Sequence, residues 1–123
     1  MRLGNFCVIS HLYHKYAGSK EPYGTLINMA PEVFEAGEEG DKSDVWSLGM
    51  TLLELAERKH PFKDLSRSEV VEKLMSEPPP SLSSDKWSVA FVDFVSKCLV
   101  KEVEQRWSVD QLIDVWLLRR IEA

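Results

Sequence analysis

The sequence predicts a mainly α-helical fold whose helices pack around one buried central helix, and its hydrophobic periodicity is what predicts it. In the stretch Asp41–Phe62 the apolar residues Val45, Trp46, Leu48, Met50, Leu52, Leu53 and Leu55 fall on every side of a helical wheel, leaving no face that prefers water. A helix of that kind is a buried one. Farther along, three sets of apolar residues recur at spacings of three and four: Val70, Val71, Leu74 and Met75; Phe91, Val92, Phe94, Val95, Cys98 and Leu99; then Val109, Leu112, Ile113, Val115 and Trp116. These are the one-sided stripes of helices lying on a core. By contrast, Ile9–Tyr23 is polar and aromatic with neither a helical nor an alternating period, which predicts a mobile surface loop.

Taken in order, Arg2–Val8 reads as a short strand-like piece ending in a turn. Pro31 suits the first position of a short helix through Val33 to Ala36, where its missing N–H would have no partner in any case. The run Gly37-Glu38-Glu39-Gly40 is a flexible acidic connection. Asp41 is expected to cap the central helix, with Asp44 adding acidic charge near the positive helix end, and Arg58, Lys59 and Pro61 mark its stop. Interrupted by Asp44, Ser47, Glu54 and Glu57, this helix is too short to cross a bilayer. On spacing alone Asp44 is a capping residue at a solvated helix end; were it buried, its carboxylate would have to be paired. Ser66 and Glu69 stand in a capping-box arrangement before the next stripe. Pro78-Pro79-Pro80 forbids helix and gives a stiff extended connector. The following helix runs from about Ser88 to Leu99, and Ser108 caps the last.

The 123 residues suit one domain, with 44% hydrophobic and 28% charged residues. A net charge of −5 and a pI near 5.2 argue against nucleic acid or an anionic membrane as the main partner. Met1–Ser10 is too short an apolar stretch for a signal peptide. Cys7 and Cys98 are far apart and read as reduced thiols of a cytoplasmic protein.

The run Asp44-Val45-Trp46-Ser47-Leu48-Gly49 is preceded by Met29-Ala30-Pro31-Glu32 and followed by His60-Pro61-Phe62 and Gln105-Arg106. In this order the four landmarks resemble the C-terminal lobe of a eukaryotic protein kinase of the serine/threonine type, in the sterile-twenty-like or MAP kinase kinase branch. The resemblance implies a partial kinase domain, with residues 1–32 as activation segment and 33–123 as helical lower lobe. It implies that Asp44 binds the backbone of the catalytic loop, and that Glu32 pairs with Arg106 far along the chain. Leu3–Val8 resembles the strand entering the magnesium-binding Asp-Phe-Gly motif, with Asn5 for the Asp and Cys7 for the Gly. The 22 residues between Cys7 and Ala30 match the usual spacing. An amide offers Mg²⁺ only a neutral oxygen, so metal affinity at Asn5 is expected to be weak.

Gly24 and Thr25 resemble the substrate-side loop and point to serine/threonine specificity, while Asn28 stands where an aromatic residue usually packs under that loop. Glu21 takes the place of a phosphorylated Thr and could imitate it only in part. Ser10 and Ser19 are candidate phosphoacceptors. ATP and Mg²⁺ are implied for the family, yet no Gly-rich loop, strand lysine or His-Arg-Asp loop occurs in these residues. The chain alone is therefore expected to bind neither and to transfer no phosphate. Its partners are expected to be a protein substrate or regulatory protein, with no nucleic acid or membrane. Part of the Val45, Leu48, Leu52 face is expected to meet water, making the chain marginal, self-associating or dependent on a partner. Alternatively the chain is a pseudokinase-type binding module that docks a partner through the Ser66–Met75 helix.

Overall fold

The structure, a computed structural model, describes residues 26–37 and 39–122, with side chains through Val115. The strand-like piece over Arg2–Val8 and the loop over Ile9–Tyr23 lie outside the described residues. Within them the fold is all helical: α1 Pro31–Ala36, α2 Asp41–Glu57, α3 Arg67–Ser76, α4 Val89–Cys98 and α5 Val109–Glu122. Helix α2 packs on both α4 and α5, and α1 packs on α3.

Local chemistry sets most helix ends. Pro31 opens α1, and Gly37 closes it in the left-handed region at φ 69°, its N–H reaching the Val33 carbonyl. Helix α3 starts with a complete capping box, in which Ser66 Oγ accepts from the Glu69 amide and the Glu69 carboxylate accepts from the Ser66 amide. Ser88 caps α4 through the Phe91 amide. Ser108 and Gln111 bond reciprocally at the start of α5.

The start of α2 departs from the expectation that Asp41 caps it. Gly40, in extended conformation, is the N-cap; its carbonyl accepts from the Ser43 and Asp44 amides, and Asp41 is the first helical residue. Asp41 therefore acts on the helix end by charge alone. At the other end Arg58 takes the left-handed conformation, φ 61°, in a position that usually falls to glycine.

The core forms around α2. Trp46, Met50 and Leu53 are buried against Phe62, Val70, Leu74, Leu82, Val95 and Leu99, while Val45 joins Cys98 and Leu112 in a second cluster toward α5. The expectation that α2 has no water-facing side is corrected: Thr51, Glu54 and Leu55 are exposed, Leu55 to 71%. A wheel reports which residues are apolar, but neighbouring elements decide which of them are covered. The expected wet face is likewise narrower, since Val45 is 1% exposed and only Leu48 and Leu52 are partly open. On α3, Val70 and Leu74 are buried and Val71 half-buried, so most of its stripe faces the core and Met75 alone stands out.

Gly49 allows a close approach of α2 to the end of α4. A Cβ there would lie 2.7 Å from Cys98 Cβ and 2.9 Å from Leu99 Cγ, so α2 and α4 touch nearly backbone to side-chain base. The proline connector is tied down at both ends, by Lys101, whose ammonium donates to the Glu77 carbonyl, and by Glu57, which accepts from the Ser83 amide at 3.4 Å. Among the described residues no helix is long and apolar enough to cross a membrane.

Candidate functional site

Helices α1 and α2 and the loop after α4 converge on Arg106, whose side chain is 0% exposed. A buried guanidinium must have its donors met, and here all five N–H groups are. Nε donates to the Val100 carbonyl at 2.7 Å; Nη1 donates to Glu32 Oε2 at 2.7 Å and to the Lys42 carbonyl at 2.8 Å; Nη2 donates to Glu32 Oε1 at 2.9 Å and to the Lys101 carbonyl at 3.3 Å. The guanidinium carbon also sits 5.3 Å from the Trp46 ring centre, where the π-face attracts a cation.

Glu32 presents both carboxylate oxygens to this fork, and Oε2 accepts a further bond from Ser43 Oγ at 2.9 Å. Burial works against its ionisation, but the bonds from Arg106, its own backbone amide and Ser43 outweigh that and hold the carboxyl below its ordinary range. The result is a rigid joint fixing α1, the first turn of α2 and the 99–106 loop to one another. It carries charge but nothing that reacts: both groups are saturated by partners.

A second polar joint sits on the other side of residue 30. Ser47 Oγ donates to the Asn28 carbonyl at 2.8 Å, and His60 Nε2 lies 2.7 Å from Asn28 Oδ1. The Phe62 amide donates to His60 Nδ1 at 3.0 Å. Asn28 is thus a polar anchor, fastening residues 26–30 to the middle of α2 and to the turn after it. Leu26, Ile27 and Ala30 on either side are buried.

Asp44 is different. Its carboxylate is half-buried and meets no hydrogen-bond donor among the described residues; burial and the charges of Asp41 and Glu39 push its pKa upward. Cys98 is a buried free thiol, its pKa pushed up to about 12 by burial, and is therefore inert.

Of the sequence-predicted site residues, the structure brings Glu32 and Arg106 into contact and leaves Asp44 unpaired among the described residues. Asn5, Gly24, Thr25, Ser10 and Ser19 lie outside the described residues. Sequence reasoning singled out Asn28 and His60 but missed their bond, and it missed the roles of Ser43 and Ser47. Ser43 and Ser47 carried a signal, being small hydroxyls at spacing four on the buried helix, but nothing local indicated their acceptors. Among the described residues no group of three His, Cys, Asp or Glu side chains could hold a metal ion.

The profile of the protein kinase domain family matches residues 1–117. The serine/threonine-protein kinase hippo of Drosophila melanogaster is 39% identical over 119 residues, covering 96% of this chain and 18% of that protein. Two proteins of Dictyostelium discoideum are similarly related: the serine/threonine-protein kinase pakH, 40% identical over 74% of this chain and 18% of its own length, and the serine/threonine-protein kinase pakE, 38% identical over 92% of this chain and 12% of its own. The chain thus spans less than a fifth of the length of these relatives.

Proposed function

Because this chain belongs to the protein kinase domain family, we propose that it is the activation segment and helical lower lobe of a serine/threonine protein kinase-type domain. Its role in that reading is to anchor the loop that receives a protein substrate. The single observation that supports it most is the doubly bonded Glu32–Arg106 joint, which ties the helix following Gly24 and Thr25 to α2 with the stiffness a substrate platform needs. The relatives' names support the serine/threonine assignment.

ATP and Mg²⁺ belong to the family's chemistry, in which a metal-bound nucleotide supplies the phosphoryl group. The described residues offer no ligand set for Mg²⁺, and Asn5, the degenerate metal position, lies outside them. We infer that the isolated 123 residues transfer no phosphate, since the Gly-rich loop, the strand lysine and the catalytic Asp are missing from their sequence. Incubation with radiolabelled Mg-ATP and a generic basic protein is expected to leave label at the no-enzyme level. Transfer above that blank overturns the inference, and a catalytic-loop sequence just upstream of the Met1 codon would identify where the chemistry resides.

A cytoplasmic setting agrees with the free thiol of Cys98. Self-association or a covering partner agrees with a cleft of about 390 Å³ between α2, α4 and α5, lined by Leu52, Phe91, Phe94, Trp107, Leu112 and Val115. The alternative of a binding module using Ser66–Met75 has less in its favour, because Val70 and Leu74 of that helix face the core. Partner capture that survives Thr25→Ala but fails with Val71→Asp would reverse that preference.

A further inference from the structure

We propose that His60 is a proton-sensitive latch: while neutral it positions residues 26–30 against α2, and on protonation at Nδ1 it lets them go. The geometry fixes the ring's state. A backbone N–H can only donate, so Nδ1, 3.0 Å from the Phe62 amide, must present a lone pair. The ring proton is then on Nε2, which donates across 2.7 Å to Asn28 Oδ1 and so also fixes which way the Asn28 amide faces. The residue is 3% exposed, so neither nitrogen has water as a ready substitute.

A second proton has no acceptable place. On Nδ1 it would point at the Phe62 N–H, replacing a hydrogen bond by two opposed donors and leaving a cation in the core. The charges around the ring do not remove this cost. From α2 only Glu54 favours the cation, and it is exposed; from the turn itself, Lys59, Lys63 and Asp64 are exposed; residues 26–30 bear no charge, and the Phe62 ring, 5.7 Å away, offers no anion. Burial outweighs Glu54 and holds the imidazole below its ordinary pKa.

The direction follows from linkage. The unfolded or opened His60 titrates near ~6.5, above the latched form, so the open state binds more protons as pH falls. The latch is at full strength above about pH 6.5 and weakens progressively below it. Since residue 26 follows Gly24 and Thr25 directly, the latch would also set the order of the substrate-side loop, a consequence that rests on the proposed function whereas the latch itself does not.

The test uses the ¹⁵N-labelled whole chain. Imidazole spectra and amide exchange, corrected for intrinsic rates, are recorded from about pH 7.5 to about pH 5.8, above the pI near 5.2. The expected result is an Nε2–H tautomer, a midpoint below that of a reference histidine peptide, and a roughly five-fold loss of protection at the Met29 and Phe62 amides, with the Leu99 amide of α4 unchanged. His60→Gln should flatten that pH response, and Asn28→Leu should leave Met29 weakly protected at every pH. An Nδ1–H tautomer, a midpoint at or above the reference, pH-independent protection, or an equal loss in α4 overturns the proposal. Should either variant fail to fold, the wild-type titration decides alone.

Discussion

Glu32 and Arg106, 74 positions apart in the chain, meet through two N–H···O bonds of 2.7 and 2.9 Å. Removing one partner of such a buried pair leaves the other charge desolvated. Arg106→Ala and Glu32→Ala are each expected to destabilise the chain by about 3–5 kcal/mol, against roughly 0–1 kcal/mol for an exposed pair. Urea melts of both single variants and the double variant check this, and the double should lose much less than the sum. Arg106→Lys should rescue little, because one ammonium cannot reach Glu32 and three carbonyls from a single point.

Asp44 is expected to behave in the opposite sense to Glu32. Its pKa is raised by burial and by Asp41 and Glu39, so its charge opposes folding at neutral pH. The penalty is present above the folded pKa and fades as pH falls through that value toward the unfolded one, about 3.9. Asp44→Asn should therefore melt higher than the parent at about pH 7 and equal to it at about pH 3.5. A lower melting temperature at neutral pH would mean that the carboxylate has found donors outside the described residues.

At Gly49 two effects compete. An Ala in mid-helix gains roughly 0.5–1 kcal/mol of helix propensity over Gly. Its methyl would stand 2.7 Å from Cys98 Cβ, where neither side can retreat without moving a helix. Overpacking of that kind costs about 1–3 kcal/mol, so Gly49→Ala should be net destabilising in urea melts. Gly40→Ser is the contrasting case: nothing lies within 4 Å of its Cβ, and a hydroxyl at the N-cap should stabilise by a few tenths of a kcal/mol.

What could be read from the sequence was what depends on near neighbours. The Ser66–Glu69 and Ser88 caps and most of the α3, α4 and α5 stripes are encoded within a few positions and stand where expected; Met75 is the exception, and the side chain of Trp116 lies outside the described residues. The Asp41 cap failed because N-cap preference is a local average, whereas here the chain enters α2 in extended conformation at Gly40. The exposed strip at Thr51, Glu54 and Leu55 was invisible because an apolar wheel does not say where its neighbours stand. The pairing of Glu32 with Arg106 came from the kinase resemblance, since no local pattern links residues so distant. The Asn28–His60 bond had no such aid: 32 positions separate a polar pair whose meeting depends on the turn after α2.

The Arg106 joint also imposes an order of events on the growing chain. Helices α3 and α4 depend on caps and stripes a few residues long and can form transiently once made, on the microsecond scale. The joint cannot, because one half of it lies 74 positions before the other. Until Arg106 emerges during synthesis, Glu32 and the Lys42 carbonyl wait without their main donor, and the hydroxyls of Ser43 and Ser47 are left to hold α1 and the residues before it to α2. Closure of so long a loop carries an entropic cost that must be met before its bonds form, which places it late on the folding path. A nascent chain stalled before residue 106 would hold helical segments that are not yet fastened together, and that interval is when a chaperone or a neighbouring segment has its opportunity to bind.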